Sequence, residues 1–210
     1  MEYHAQPQVP LSHYDIRRYN KKEAWLNYWY QIDAILRLEK QRILEIGPGN
    51  KTVTDMLCKA GIEVVTVDID SGLKPDVVAS ATSLPFEDNS FDAVLCSEVL
   101  EHLPFEKFGI ALKELRRVTK RFVVLGLPNA GGVFRFDIKI PILPRLTAFC
   151  KLPFFWKTHV FNGEHYWETG KRGYSLAQVR KSIESSGFKI LKDRINADDP
   201  AHWLMTMEKI

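Results

Sequence analysis

The spacing of apolar and polar positions divides the chain into short alternating elements. From Tyr14 to Leu38, residues Trp25, Leu26, Trp29, Ile32, Ile35 and Leu36 recur at helical spacing, which predicts an N-terminal helical cap over 14–38. The pattern then changes. Arg42–Ile46 is a short apolar run that stops at Gly47-Pro48-Gly49, the signature of a buried strand entering a tight turn. Thr52–Ala60 returns to helical spacing, with Val53, Met56 and Leu57 on one face and Gly61 as the stop. Glu63–Val67 reads as a second strand ending at Asp68. The polar stretch through Gly72 and Pro75 leaves little room for a full helix before a weak strand at Asp76–Ala79. A shortened helix or a loop is expected there. Phe91–Cys96 is another buried strand. Glu106–Thr119 is an amphipathic helix with Phe108, Ala111, Leu112, Leu115 and Val118 inside, and Arg121–Leu127 is the next strand. Such alternation implies a parallel sheet with right-handed crossovers.

The last third reads differently. Residues 130–173 are rich in Pro, Gly, aromatics and cations, and read as an insertion that covers a substrate. Ser175 caps a helix running to about Ser186, and Gly187 ends it. Phe188–Ile195 and His202–Glu208 are strands joined only by Asn-Ala-Asp-Asp-Pro, a link short enough to require an antiparallel pair. The expected fold is α/β, a single domain over 1–210. It is a doubly wound, mostly parallel seven-stranded sheet with a C-terminal antiparallel hairpin.

Composition narrows the class without changing this picture. With 45% hydrophobic and 26% charged residues the chain is an ordinary globular one, and a net charge of +3 gives no concentrated footprint for nucleic acid. Cys58, Cys96 and Cys150 are odd in number and lack CxxC spacing, which argues against a disulfide framework or zinc site and for a cytoplasmic setting. The first twenty residues have no apolar core of a secretory signal, and no run reaches the about 18 apolar residues of a membrane span.

The chemistry concentrates at Glu45-Ile46-Gly47-Pro48-Gly49 and at Asp68. In an open α/β sheet, ligands lie beyond the carboxyl ends of the strands. Glycines there let backbone approach the ligand, and an acid ending the second strand can accept two hydrogen bonds from a ribose diol. Two cofactor classes share this geometry. A dinucleotide wants a third glycine and a free helix N-terminus for its pyrophosphate. Here Thr52 takes the third-glycine position, and Glu45 adds a charge that repels phosphate. A sulfonium compound with an amino-acid tail has the opposite preference.

ILEIGPG, VVTVDID and ATSLPFEDNSFDAVLCSEVLEHL, with the closing helix and hairpin, resemble a class I S-adenosylmethionine-dependent methyltransferase. Within that class they resemble the ubiquinone/menaquinone-biosynthesis-like group, methyltransferase type 11. The resemblance covers about Gln41 to Leu127. It implies S-adenosyl-L-methionine as cofactor. It places Glu45, Gly47, Pro48 and Gly49 around the methionine part, Asp68 on the ribose and Ile69 against the adenine. Ser80, Ala81 and Thr82 run along the adenine edge, and Ser97, Glu98 and Val99 form the floor near the sulfonium. The chain departs from the family at Lys51, where a third glycine is common, and at Ser80, where Asp is common.

Methyl transfer from a sulfonium mainly asks the protein for alignment and exclusion of water. His102 is the first candidate for a base, its alternative use being to orient the loop before Pro104. Glu98, Glu101 and His102 form an E-x-x-E-H sequence resembling a metal-binding segment of some ubiquinone-type and RNA 3′-end O-methyltransferases, although many metal-free relatives carry similar sequences; no metal is expected as the main reading. His165, Tyr166 and Trp167, with Asn129, are candidates for contact with the acceptor, His165 also as a base. Packing of the insertion is the equal alternative for the two aromatics. The N-terminal helix with Trp25 and Trp29 either covers the opposite side of the pocket or, as the main expectation, packs the core.

From 133 to 160, apolar residues alternate with cations, including Phe134, Arg135, Phe136, Lys139, Arg145 and Lys157, a pattern that can dock on an anionic membrane surface, with an ordinary mobile lid or a dimer contact as the equal alternative. Pro141, Pro144 and Pro153 break any long helix there. The expected function is methyl transfer to a small-molecule acceptor. The alternatives are a peripheral-membrane enzyme on a lipid-linked or quinone-like acceptor, and a non-catalytic binding module of the same fold. Neither the acceptor nor the oligomeric state is legible.

Overall fold

A computed structural model describes residues 6–142 and 146–210. In chain order the helices are α1 (Ile16–Tyr19), α2 (Lys22–Leu36), α3 (Thr52–Lys59), α4 (Phe105–Val118) and α5 (Leu176–Ser185). The strands are β1 (Arg42–Ile46), β2 (Glu63–Asp68), β3 (Val77–Val78), β4 (Phe91–Ser97), β5 (Thr119–Pro128), β6 (Gly132–Ile138), β7 (Leu146–Leu152), β8 (Phe188–Asn196) and β9 (Asp199–Lys209). Seven of them form one sheet in the order β3-β2-β1-β4-β5-β9-β8. The first five are parallel, and β9 runs antiparallel to both β5 and β8. This is the doubly wound sheet and closing hairpin expected from the sequence.

Strand alternation builds two cores. Ile43, Ala93, Leu95 and Val124 face one side, where they meet Val53 and Leu57 of α3 and Ile35 of α2. Leu44, Ile46, Val94, Cys96 and Leu125 face the other, against Phe108, Leu112 and Leu115 of α4 and Val179 and Ile183 of α5. The Ser175 side chain accepts from the Gln178 N–H and the Gln178 side chain accepts from the Ser175 N–H, a capping box that fixes the start of α5.

The turn between β8 and β9 is tighter than expected. Asn196 pairs with Asp199, so only Ala197 and Asp198 remain outside the ladder. Between β2 and β3 a 3₁₀ turn at Ser71–Leu73 stands where a full helix would not fit.

The N-terminal cap departs from the expected single helix. A 3₁₀ turn at Leu11–Tyr14 precedes α1, Asp15 caps α1 by accepting from the Arg17 N–H, and Asn20 leaves helical geometry before α2 begins. The buried face of α2 is Asn27, Gln31 and Ile35, whereas Trp25, Trp29 and Leu36 are exposed. Trp25 and Trp29 therefore do not pack the core. The Gln31 side-chain amide donates to Asn27 Oδ1 at 3.0 Å, so this polar pair can be buried, while the Trp25 indole N–H reaches Asn20 Oδ1 at the surface.

The insertion contains an antiparallel hairpin, β6–β7, forming its own two-stranded sheet. Pro141 and Pro153 fall outside its strands; Pro144 and Arg145 lie outside the described residues. Among the described residues, no helix is long and apolar enough to cross a membrane.

Candidate active site

The strand order reverses direction between β1 and β4, so the loops leaving them diverge and open a crevice. A cavity of about 640 Å³ occupies it.

Its floor begins where β1 ends. Gly47 (φ 71°) and Gly49 (φ 52°) hold left-handed backbone, and the Gly47 N–H donates to the Val67 carbonyl at 2.8 Å. A Cβ on Gly47 would lie 2.3 Å from Val99 Cγ2. Glycine is thus required there both by φ and by packing, and Val99 wedges the crook into place.

Glu45 points into the same space from within β1 and is nearly fully buried. Its Oε2 accepts from the Thr54 hydroxyl at 2.5 Å. Burial pushes its carboxyl up to about 7, against the opposing pull of that hydrogen bond. Asp68 ends β2 and accepts from the Asp70 N–H at 2.9 Å; burial raises its pKa too.

Ile69, Ser80 and Ala81 line the adjoining wall. Thr82 does not line the cavity. Its hydroxyl lies 2.8 Å from that of Ser80 and its N–H donates to Ser80 Oγ, so it supports Ser80 from behind. At the end of β4, Glu98 adopts φ 55°. Ser97 Oγ and Glu98 Oε1 are buried without a protein partner, although both residues border the cavity. Orphaned polar atoms on a cavity floor fit a ligand that brings its own polar groups. The crook, the two carboxylates and this floor match the donors and acceptors of a nucleoside carrying an amino-acid tail.

A 3₁₀ turn at Leu100–His102 follows. Glu101 is fully buried, its carboxyl beside the buried carboxyl of Glu98. Burial first, and the charge of Glu98 second, raise its pKa well above the usual carboxylate range. His102 is pushed down to about 4 by burial and by His165, so it is neutral near pH 7. The two imidazoles stand edge to face with centroids 5.0 Å apart.

Of the expected acceptor contacts, only His102 and His165 reach the cavity. Trp167 is a core residue: it is fully buried among Phe105, Phe108 and Tyr174, with its indole N–H donating to the Leu103 carbonyl. Tyr166 lies against Phe161, outside the cavity lining. Asn129 is buried, its N–H donating to the Ala201 carbonyl and its own carbonyl accepting from the Lys151 amine.

Other lining residues were not expected. Gln8, Tyr14, Asn27 and Gln31 close the cavity from the N-terminal side, and His202 enters from β9. His202 Nδ1 lies 2.6 Å from Asp199 Oδ1. Burial would lower its pKa, but the Asp199 hydrogen bond and the charge of Glu98 outweigh it, and the net shift is upward. Two signals were present in the sequence: a polar i, i+4 pair in an otherwise aromatic helix, and a histidine at the start of the last strand. An antiparallel strand next to β5 starts at the carboxyl edge, and His202 indeed pairs with Pro128.

Residues 44–125 match a family model described as a methyltransferase domain. Demethylmenaquinone methyltransferase from Renibacterium salmoninarum is 37% identical over 99 residues, 42% of this chain and 41% of that relative. The enzyme of the same name from Corynebacterium efficiens is 35% identical over 112 residues, 50% and 44% of the two chains. The chain thus spans less than half the length of these curated relatives. Among solved structures, magnesium protoporphyrin IX methyltransferase from Synechocystis PCC 6803 with bound SAM has a TM-score of 0.62 at 14% identity, covering 98% of this chain and 87% of that one. A Burkholderia thailandensis 1,6-didemethyltoxoflavin-N1-methyltransferase, bound to 1,6-didemethyltoxoflavin and S-adenosylhomocysteine, has a TM-score of 0.61 at 13% identity over 95% and 84% of the chains. At such identities the likeness is one of fold. Residues 44–125 match the methyltransferase-domain family model, part of the chain is similar in sequence to these demethylmenaquinone methyltransferases, and the chain shares the fold of these solved methyltransferases.

Proposed function

We propose that this chain binds S-adenosylmethionine and transfers its methyl group to a small-molecule acceptor by direct displacement. One observation carries the reading. Glu45, the side-chain-free crook at Gly47 and Gly49, and Asp68 all open onto a single cavity. Glu45 holds the α-ammonium, Asp68 the ribose hydroxyls, and Ile69, Ser80 and Ala81 the adenine. The cofactor supplies a methyl group already activated on positive sulfur. The chain supplies alignment, and the N-terminal segment from Gln8 to Gln31 sheds water from the site. On the acceptor side His202, oriented by the buried Asp199, takes the acceptor proton at Nε2. The same reading places the enzyme in the cytoplasm, with Cys58, Cys96 and Cys150 as free thiols.

Calorimetry separates this reading from a nicotinamide enzyme. S-adenosylhomocysteine is expected to bind in the micromolar range and NADH not at all. No S-adenosylhomocysteine binding at about 1 mM would overturn it. Methyl-labelled cofactor offered with a panel of phenols and quinols then tests turnover against a purely binding module.

A second reading refines the acceptor. One face of the β6–β7 hairpin carries Phe134, Phe136, Ile138, Leu146 and Leu152, all exposed. This supports a peripheral enzyme acting on a lipid-linked or quinone-like acceptor, in keeping with the demethylmenaquinone methyltransferases that residues 44–125 resemble.

A further inference from the structure

The two sides of the β6–β7 hairpin differ, and its more polar side is turned to the sheet. Val133, Arg135 and Asp137 of β6 lie opposite Lys151, Phe149 and Thr147 of β7. The Arg135 guanidinium donates to the Ala197 carbonyl at 3.1 Å, so this side rests on the β8–β9 turn. From the same side the Lys151 amine donates to the carbonyls of Asn129 and Pro200.

Those two carbonyls end neighbouring strands. β5 and β9 pair as far as Pro128 and His202, and the Asn129 N–H then donates to the Ala201 carbonyl at 2.7 Å. Beyond that point Lys151 bridges the two backbones and satisfies carbonyls that the ladder leaves over. Its stem passes Gly131, where a Cβ would lie 2.9 Å from Lys151 Cε. The ammonium is therefore bonded to the residue that directly follows Asp199, on the strand that carries His202. Lys151 does not line the cavity, so its action on an acceptor runs through these two residues.

A cation thus stands beside the buried pair that orients the base. Asp199 is buried, and its Oδ1 lies 2.6 Å from His202 Nδ1. Burial weakens the Lys151 ammonium, to about 8, against the opposing charge of Asp199. His202 feels Asp199 on β9 and Glu98 at the end of β4, which favour its charged form, and Lys151 on β7, which opposes it. Glu98 in turn interacts with Glu101 and His165. In a low-dielectric interior such neighbours act over distances that water would screen.

We propose that Lys151 is a positioning residue for the Asp199–His202 pair: it staples the hairpin across the ends of β5 and β9 and sets a positive charge behind the carboxylate that orients the imidazole. A cation there disfavours a second positive charge on His202, so a larger share of the imidazole is free to accept a proton. This catalytic consequence rests on the methyl-transfer reading, with His202 as base; the charge coupling does not.

The test follows the His202 Cε1 proton by NMR from about pH 5 to pH 10 in the full chain, without cofactor or acceptor. Its loss in His202→Ala assigns the signal. In the native chain a second inflection is expected near pH 8, where Lys151 loses its proton. Lys151→Met keeps the stem and removes the charge. It is expected to abolish that inflection and to raise the His202 midpoint by about half a pH unit or more, a roughly threefold change in proton affinity. The acid limb of kcat should move to higher pH by the same amount, with S-adenosylhomocysteine affinity unchanged. A folded Lys151→Met chain with an unmoved midpoint makes Lys151 a clamp alone and overturns the proposal; thermal unfolding checks that it folds. Should it not fold, the native signal decides: a single inflection overturns the coupling and a double one supports it. A moved midpoint in a chain that methylates no acceptor keeps the coupling and removes the methyl-transfer reading, whereas turnover with an unmoved midpoint does the reverse.

Discussion

The Thr54 hydroxyl donates to Glu45 Oε2 at 2.5 Å, and this bond, with the charge of Lys51, opposes the burial that holds the carboxyl at about 7. In the folded chain Glu45 binds its proton more tightly than in the unfolded chain, whose value is 4.5. Its contribution to stability is therefore full below about pH 4.5 and is lost as pH rises through about 7. A bound α-ammonium pulls the other way, because it favours the ionised carboxylate. S-adenosylhomocysteine affinity is accordingly expected to rise between about pH 5 and pH 8, with proton release on binding near neutrality. Glu45→Gln should lose about tenfold in affinity and flatten this rise. Calorimetry in buffers of differing ionisation enthalpy reads both quantities, and a pH-independent affinity would refute the role given to Glu45.

Trp167 and the two N-terminal tryptophans should behave oppositely. Trp167 fills the junction of the insertion with α4 and is fully buried, so Trp167→Ala is expected to cost about 3–5 kcal/mol. Trp25→Ser and Trp29→Ser change exposed positions and should stay within about 0.5 kcal/mol. Urea unfolding distinguishes the two. A Trp167→Ala chain of native stability with a raised KM would restore Trp167 to the acceptor site.

These tryptophans show where the sequence was legible. The sheet was readable because strands buried on both faces are short apolar runs closed by turn residues, as at Arg42–Ile46 before Gly47. Glu45, the glycine crook and Asp68 were readable because local backbone geometry puts strand ends at the crevice. The α2 face was not, because the helix is apolar on several sides and burial was decided by the Asn27–Gln31 hydrogen bond. His202 was missed because its place depends on which neighbour β9 chooses, a long-range pairing with β5. The hairpin in the insertion was hidden by its prolines, which argued against a helix without indicating a strand.

The Asp199–His202 pair predicts a pH profile. Asp199 is buried and fixes His202 Nδ1, and the net pKa of His202 is raised. The stabilisation from the charged imidazole is present below 6.5 and is lost as pH rises through the raised folded value. A base must be neutral, so kcat should rise with pH across that same range. His202→Ala is expected to lower kcat by about 10²-fold with S-adenosylhomocysteine affinity unchanged. Asp199→Asn removes the negative partner and should move the acid limb to lower pH. An unmoved limb would assign it to another group.

The β6–β7 hairpin presents a problem of stability that points to its use. A two-stranded sheet is marginal by itself in water, and here one face holds Phe134, Phe136 and Ile138 across from Cys150, Ala148 and Leu146, with no protein layer over it among the described residues. Shortly after β7 in the chain, Lys157 stands over the Phe154 ring, so the insertion also carries a cation. An anionic bilayer covers such a face and attracts such a cation. Co-sedimentation with vesicles of phosphatidylcholine and phosphatidylglycerol is therefore expected, weakening with salt. Each phenylalanine contributes about 1.5–3 kcal/mol when buried, so replacing both Phe134 and Phe136 by Ser should reduce partitioning by at least about 10²-fold. Both side chains are exposed, so the variant should keep native unfolding behaviour and S-adenosylhomocysteine affinity. If the native chain ignores the vesicles and elutes as a dimer that the double substitution converts to monomer, the face is a contact between two copies and the membrane reading falls.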